Sequence, residues 1–304
     1  MAELTGRASG SVPVRGGSDI PTTRTLAWLV DQYAQARDVR PGSVSQLRYS
    51  ATLFGRWLKR KPTLKDLAET QVNAWVRALL DAGTLSTETI RSKRRHLVCL
   101  RRFAYERGWM RTLGTIRPVK QAARIPVAWS QDELAALLHI AALKTKRLLR
   151  HRPVAWCEFW RAFILVGYYS GLRLGDLLKL RFEAIGQGGT CVVIQGKTGN
   201  ALTFHLPEDA LAAVAAIRKP ERARIFGDLL CRRTIQDEFR WLTREAKIGG
   251  SIKRLRASGA TWVEATVPGS AMAFLGHRTP GLAHAHYCDP RYIQQNKPRP
   301  PRLG

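Results

Sequence analysis

The sequence has few acidic residues and lacks the features that mark membrane or secreted proteins. Asp and Glu number 23, against 50 Lys and Arg. No apolar run approaches the roughly 18 residues that a membrane-spanning helix needs, and the N-terminal residues lack the apolar stretch of a signal peptide. The five cysteines are widely spaced and form no CxxC pair, which argues against a zinc site and favours reduced thiols. We therefore expect a cytoplasmic protein.

The excess of positive charge is the strongest feature of the composition. A formal net charge of +27 opposes compaction unless the partner is a polyanion. DNA is such a partner, because it carries roughly one charge per 1.7 Å of helix axis. The composition therefore predicts nucleic-acid binding and association with the nucleoid, and a membrane surface is the alternative.

The length and the changes in composition along the chain predict two domains. Residues 1–23 are rich in Gly, Ser, Thr and Pro and are expected to be a disordered lead-in. A helical domain is expected over 24–117, followed by a basic, proline-containing linker over 118–127. The second domain is expected over 128–296, and the Pro- and Arg-rich tail 297–304 is expected to be disordered.

The periodicity of apolar residues predicts a mainly α fold with a small β-hairpin. In the first domain it predicts four helices, the third with Thr70 as N-cap and the fourth over about 87–107. In the second domain Ser130 begins a capping-box sequence that opens an apolar helix. Residues 191–194 and 202–206 flank a glycine-containing turn and predict two short strands.

The fourth predicted helix is unusually basic. Residues 24–125 hold 21 Lys and Arg against 7 Asp and Glu, and four arginines on this helix are expected to contact DNA phosphates: Arg91, Arg94, Arg95 and Arg101. Such contacts give affinity without sequence choice. The alternative is an ordinary solvated basic face.

Four segments of the second domain carry residues suited to phosphoryl chemistry. They are 170–180 (SGLRLGDLLKL, with Arg173), 196–199 (GKTG, with Lys197), 253–261 (KRLRASGAT, with Lys253 and Arg256) and 275–277 (LGH, with His277). Ten residues after His277 the chain has Tyr287. Cleavage of a phosphodiester by a side chain needs a nucleophile, positive charge on the phosphate oxygens and a proton for the leaving oxygen. This set contains all three.

In this order the four segments resemble the motifs of the tyrosine recombinase and phage-type integrase family, which is related to the type IB topoisomerases. Residues 170–180 are similar to the family's TGLRxxELLxL box, residues 253–261 to HxLRHxxAT, and the segment from 275 to 287 to LGH followed by tyrosine. The resemblance spans residues 24 to about 290. It implies a helical core-binding domain followed by a mostly helical catalytic domain.

The resemblance also implies roles. Tyr287 is the nucleophile and forms a 3′-phosphotyrosyl link, while Arg173 and Arg256 hold the two non-bridging oxygens. Arginine suits this role because its planar fork donates two bonds and keeps its charge. No cofactor, ATP or metal is then required. The implied partner is double-stranded DNA with paired recognition sites, bound by a homotetramer on synapsed duplexes.

The remaining members of the set have supporting roles in the family. Lys197 would protonate the leaving 5′ oxygen, although a lysine in a hairpin turn is usually only solvated. His277 would hydrogen-bond a phosphate oxygen or assist proton transfer. Lys253 would supply a further cation beside the phosphate.

Two departures from the family pattern keep other interpretations open. Lys253 stands where histidine is usual, and Ala257 stands where a second histidine is common. A DNA-binding protein of this fold that has lost catalysis is one alternative. A type IB topoisomerase-like enzyme, in which a lysine takes the Lys253 position, is another. The arginines Arg173 and Arg256 are alternatively buried ion-pair partners, for example of Asp176.

Overall fold

The computed structural model of this chain describes residues 23–120, 124–143, 154–279 and 281–293. The predicted disordered tail and the predicted lead-in, apart from Thr23, lie outside these residues. The chain divides into two compact units between Ala123 and Arg124. This division lies inside the segment predicted as a linker, and Val119 of that segment packs in the core of the first unit.

Over residues 23–120, the first unit contains four α-helices and one short 3-10 helix. The α-helices are α1 (Leu26–Arg37), α2 (Pro41–Leu58), α3 (Glu69–Asp81) and α4 (Thr87–Glu106). Their apolar faces meet around Phe54 and Trp75, whose ring centroids lie 5.2 Å apart. Helix α4 begins at a side-chain cap, because the Ser86 hydroxyl accepts the backbone N–H of Thr89.

The start of α3 differs from the prediction. Thr70 was expected to be the N-cap, but α3 begins at Glu69 and its N-cap is Ala68. The reason is a capped turn just before the helix, where the Thr63 N–H and hydroxyl both donate to the Asp66 carboxylate. This turn leads directly into α3, so the helix begins before Thr70.

The second unit surrounds a small antiparallel hairpin with helices. Its elements are α5 (Gln131–Ala142), α6 (Trp156–Ser170), α7 (Leu174–Leu177), β1 (Thr190–Ile194), β2 (Ala201–His205), α8 (Glu208–Ala216), α9 (Arg232–Glu245), α10 (Lys253–Thr266), α11 (Ala271–Leu275), α12 (Leu282–His286) and α13 (Pro290–Ile293). The two strands pair from Thr190↔His205 to Ile194↔Ala201. The capping box predicted at Ser130 is present at the start of α5.

The centre of this unit is the contact between α6 and α10. Helix α6 buries four large aromatic side chains: Trp156, Phe159, Trp160 and Phe163. Against it, α10 presents Gly259, where an added Cβ would lie 2.3 Å from the carbonyl oxygen of Tyr168. The missing side chain lets the two backbones approach closely, which brings the residues at the N-terminal half of α10 to the end of α6.

The predicted fold class, mainly α with a small β-hairpin, is confirmed. Within the described ranges, no helix combines the length and the apolar character that crossing a membrane requires. All five cysteines lie in described residues and none forms a disulfide.

Candidate active site

The candidate site is built around Arg256, on the first turns of α10. Its side chain is 3% exposed, and its guanidinium donates to the carbonyl oxygens of Gly171 and, at 3.1 Å, of Leu275. Its Nε is buried and has no partner among the described residues. Burial is the main reason that the pKa of Arg256 falls to about 10, so the residue still carries its charge at neutral pH.

The first arginine box forms the turn that receives Arg256. Gly171 ends α6 in the left-handed conformation, with φ of 57°, and a Cβ there would lie 2.5 Å from the Phe274 ring. Glycine is therefore required on both conformational and steric grounds. The chain then turns so that Arg173 precedes α7, and its Nη1 donates to Oε1 of Gln195 at 2.6 Å.

No ion pair neutralises either arginine among the described residues. The Asp176 carboxylate accepts the backbone N–H of Gly196 at 2.9 Å, so it holds the hairpin turn and does not pair with Arg173 or Arg256. The ion-pair alternative is thus not what the structure contains. Asp176 attracts Arg256 only through space, and no salt bridge among the described residues takes up the charge of either guanidinium.

His277 directly contacts Arg256. The Nη2 atom of Arg256 lies 3.2 Å from Nε2 of His277. Because a guanidinium can only donate, Nε2 is the acceptor and the neutral ring carries its proton on Nδ1. Burial, with the nearby charges of Arg256, Arg173 and His286, lowers the pKa of His277 to about 4. The imidazole is therefore neutral at pH 7.

Tyr287 completes this cluster. It follows the last residue of α12, and the guanidinium carbon of Arg256 lies 4.9 Å from the centroid of its ring. The His277 and Tyr287 ring centroids are 5.4 Å apart. The Thr261 hydroxyl accepts the Asp289 N–H at 2.9 Å, and its single hydrogen is shared between the carbonyls of Ala257 at 2.8 Å and Tyr287 at 3.2 Å. Helix α10 thus fixes the backbone that carries the tyrosine.

The other tyrosine near the C-terminus has a different environment. The ring of Tyr292 packs against Trp262, with centroids 5.0 Å apart. Trp262 in turn donates its indole N–H to the carbonyl of Trp129. Tyr292 therefore belongs to the packing between α10 and the chain that precedes α5, and it provides a natural comparison for Tyr287.

The two predicted lysines are not joined to the cluster. Lys197 lies in the exposed turn between β1 and β2, and Lys253 is the exposed first residue of α10. Over the part of the chain that the structure describes, no hydrogen bond or ion pair links either lysine to Arg256, His277 or Tyr287. Their roles remain predictions.

Motif reasoning missed two buried polar residues in this region. Gln195 is fully buried and accepts from Arg173. Glu264 is also buried, accepts the N–H groups of Gly269 and Ala271, and lies 3.1 Å from Nε2 of His284. Glu264 therefore ties the start of α11 and the middle of α12 to α10. A glutamate at a position of helix α10 that faces the interior was a signal that could have identified it.

Two of the α4 arginines predicted to contact DNA donate to the protein's own backbone. Arg101 is 2% exposed and donates to the carbonyl of Leu113, and Arg94 donates to the carbonyls of Ile116 and Arg117. These two arginines bind the irregular segment that follows α4, and their contact with DNA phosphates stays a prediction.

The other two arginines predicted to contact DNA lie on the outer side of the helix. Arg95 is exposed, and Arg91 lies 4.0 Å from Glu88 in a partly exposed ion pair. Between them Lys93 is largely buried over the ring of Tyr49, with Nζ 4.2 Å from the ring centroid. Arg91 and Arg95 therefore remain the candidates for phosphate contact.

Comparison with known proteins gives two curated relatives, and no family model matches the chain. A protein named tyrosine recombinase XerC from Pseudomonas syringae is 28% identical over 188 residues, which cover 57% of this chain and 37% of the relative. A protein of the same name from Pseudomonas aeruginosa is 26% identical over 181 residues, covering 56% and 41%. The chain thus matches less than half the length of these relatives.

Solved structures share the fold over nearly the whole chain. A lambda integrase tetramer bound to a Holliday junction has a TM-score of 0.68 at 20% identity, covering 90% of this chain and 80% of that one. The Tn1549 transposon integrase in complex with a circular intermediate DNA has a TM-score of 0.66 at 13% identity, covering 90% and 100%. The chain is thus similar in sequence to two proteins named tyrosine recombinase XerC, and it shares the fold of these integrase structures.

Proposed function

We propose that this chain is a site-specific DNA recombinase or integrase that cuts and rejoins DNA strands through a 3′-phosphotyrosyl intermediate. The proposal depends mainly on one observation. The buried guanidinium of Arg256, which has no ion-pair partner among the described residues, contacts both His277 and the Tyr287 ring. A cation, a hydrogen-bonding imidazole and a nucleophile are thereby gathered at one place.

The cations would bind the scissile phosphate. Arg256 and Arg173 both lack a carboxylate partner among the described residues, so a phosphate can form an ion pair with each of them. Two guanidinium groups can hold the two non-bridging oxygens and stabilise the extra negative charge of the pentacoordinate transition state. Neutral His277 accepts a hydrogen bond from Arg256 and so helps to hold that guanidinium in place.

The covalent step balances without a cofactor. The Tyr287 oxygen forms a bond to phosphorus as the bond from phosphorus to the 5′ oxygen breaks. The leaving oxygen takes a proton from Lys197, which the exposed hairpin turn can bring to the DNA. Since the pKa of His277 is about 4, we assign the phenol proton to solvent water. Attack by a 5′-hydroxyl on the phosphotyrosine reverses this reaction and joins the strands.

The assembly would be a homotetramer on two DNA duplexes. Structural neighbours include a lambda integrase dimer bound to a core site and a tetramer bound to a Holliday junction. The net charge of +27 supports DNA as the partner, and Arg91 and Arg95 would contact its backbone in the core-binding domain. We infer a cytoplasmic, nucleoid-associated location, and a mobile element as the genetic context.

A covalent adduct tests the proposal. Direct repeats are to be sought on both sides of the gene, and nicked duplexes made from them should yield a protein–DNA adduct that survives denaturation. Tyr287→Phe should abolish the adduct, while Tyr292→Phe, a change to the tyrosine packed on Trp262, should leave it. An adduct that persists in Tyr287→Phe would disprove the assignment of the nucleophile.

The same preparation distinguishes the two alternatives. Tight binding to these duplexes with no adduct on any of them would favour a DNA-binding protein that has lost catalysis. Relaxation of a supercoiled plasmid that lacks the repeats would favour a type IB topoisomerase-like enzyme. Both alternatives are motivated by Lys253, an exposed lysine in the position where the family has histidine.

A further inference from the structure

The side chain of Gln195 is the point where three segments of the candidate site meet. Its Oε1 accepts from Nη1 of Arg173 at 2.6 Å and from the Thr198 hydroxyl at 3.1 Å. Its Nε2 donates to the carbonyl of Leu275 at 3.0 Å. One fully buried amide therefore joins the first arginine box, the hairpin turn and the end of α11.

The carbonyl of Leu275 extends this connection to the second arginine. The same oxygen accepts from Nη2 of Arg256 at 3.1 Å. A continuous path of hydrogen bonds thus runs from Arg173 through Gln195 and this carbonyl to Arg256. The two arginines that would hold the phosphate are placed relative to each other by one side chain and one peptide group.

The backbone of Gln195 also closes the turn that carries Lys197. Its N–H donates to the carbonyl of Asn200 at 2.9 Å, and its carbonyl accepts the N–H of Gly199 at 2.8 Å. The Asn200 side chain then donates to the carbonyl of Gly276 at 3.3 Å. The position of the lysine-bearing turn is therefore linked to the position of Arg173.

An amide is chemically suited to this place because it is neutral. A glutamate of the same shape would also accept from Arg173, but its negative charge would pair with the guanidinium and cancel the charge needed by the phosphate. It would also lose the donor to Leu275 and bring a carboxylate oxygen against a carbonyl oxygen. Methionine would fill the space without orienting Arg173.

We propose that Gln195 is a positioning residue for the proposed strand transfer: it orients Arg173 against Arg256 while leaving the charge of Arg173 available to the scissile phosphate. This inference rests on the proposed function. Gln195 itself touches neither substrate nor nucleophile, and it acts through Arg173 and through the turn that carries Lys197.

The test compares Gln195→Glu and Gln195→Met with Gln187→Glu. Gln187 is exposed in the same unit, so its change adds the same charge away from the site. At saturating nicked DNA, Gln195→Glu should slow adduct formation about 100-fold and Gln195→Met about tenfold, by comparison with the loss of a preorganised transition-state donor. DNA affinity should change by no more than it does in Gln187→Glu, which should keep its full rate.

The relative rates of adduct formation in the two variants distinguish a positioning role from a role in packing. A role confined to supplying an acceptor for Arg173 predicts that Gln195→Glu, which keeps that acceptor, is the milder change. A rate for Gln195→Glu equal to or above that of Gln195→Met would overturn the proposal. If Gln195→Glu does not fold, Gln195→Met decides alone, and a normal adduct rate in that variant would overturn it.

A DNA-free measurement separates this inference from the proposed function. In NMR spectra of the intact chain with labelled arginine, the Arg173 guanidinium N–H signals should show restricted rotation in the wild type and lose it in Gln195→Met. If the wild type forms no adduct, the proposed function fails, and this spectrum still decides whether Gln195 holds Arg173. A freely rotating Arg173 guanidinium in the wild type would refute the inference.

Discussion

The Arg256 guanidinium lies against the face of the Tyr287 ring, with 4.9 Å between its central carbon and the ring centroid. This is the geometry of a cation–π contact. The same guanidinium donates to the carbonyls of Gly171 and Leu275. The residue proposed to bind the phosphate thus also supports the residue proposed to attack it.

Arg256→Lys should keep the positive charge but remove the fork that reaches two carbonyls and the ring at once. We expect the rate of adduct formation to fall about 100-fold, with a much smaller loss of DNA affinity. Adduct formation and Tm are measured together. Arg232→Lys, a change at an exposed residue of α9, is the control. A normal rate in a folded Arg256→Lys variant would contradict the proposed role.

His277 should titrate far below an ordinary histidine. Burial and the charges of Arg256 and Arg173 lower its pKa to about 4, so its NMR signals should shift near pH 4 in the free protein. In the complex with DNA the midpoint should rise, because the phosphate offsets the two positive charges. A midpoint near 6.5 in the free protein would show that the ring is not enclosed beside Arg256.

Glu264 should stabilise the segment that carries Tyr287. Glu264→Ala leaves the N–H groups of Gly269 and Ala271 without their acceptor, which costs about 1–3 kcal/mol for each buried group left unpaired. His284→Ala removes only the pair with α12 and should cost less. Tm at neutral pH measures both effects, and an unchanged Tm in Glu264→Ala would contradict this assignment.

The stabilisation by Glu264 should depend on pH in a definite direction. Burial raises the pKa of Glu264, but hydrogen bonds from Gly269 and Ala271 and the nearby His284 outweigh it, and the pKa lies below the usual 4.5. A carboxylate with a lowered pKa contributes stability above its unfolded pKa, and this contribution is lost as pH falls through the folded value. The gap between wild type and Glu264→Ala should therefore be largest at pH 6–7 and shrink below about pH 4.

Arg95 and Arg94 should respond differently to substitution. Arg95→Ala should weaken binding to all duplex sequences and reduce the slope of log K against log salt by about one. Arg94→Ala should mainly lower Tm, because Arg94 donates to the carbonyls of Ile116 and Arg117. An Arg95→Ala variant with unchanged affinity at low and moderate salt would exclude the phosphate contact.

Gly276→Ala should disturb the site without removing any proposed functional group. Gly276 has φ of 63°, and an added Cβ would lie 2.8 Å from Nε2 of Gln195. The left-handed conformation costs a non-glycine residue about 1–2 kcal/mol. We expect a lower Tm and slower adduct formation, whereas Gly175→Ala, where a Cβ meets nothing within 4 Å, should have little effect on either.

The sequence predicted the features that depend on residues close together in the chain. The capping box at Ser130, the bounds of α4 and the two strands depend on residues a few positions apart, and each was found close to its predicted place. The motifs also identified Arg256, His277 and Tyr287, which the fold brings into contact although they lie up to 31 residues apart.

The sequence could not predict contacts to irregular backbone. Arg94 and Arg101 bind carbonyl groups that lie 12–23 residues away in a segment without periodicity, so nothing in helix α4 distinguishes them from Arg95. Gln195 was missed for the same reason. Its partners Arg173 and Leu275 lie 22 and 80 residues away, and no local pattern connects a strand-end glutamine with either.

The acceptor shared by Gln195 and Arg256 is a peptide carbonyl, that of Leu275. Every amino acid supplies this oxygen, so no replacement of the Leu275 side chain deletes it. Natural variation can therefore alter this junction only by displacing the main chain or by changing one of the donors. A mutational scan of position 275 would report on the packing of its buried side chain and would overlook the oxygen that both donors share.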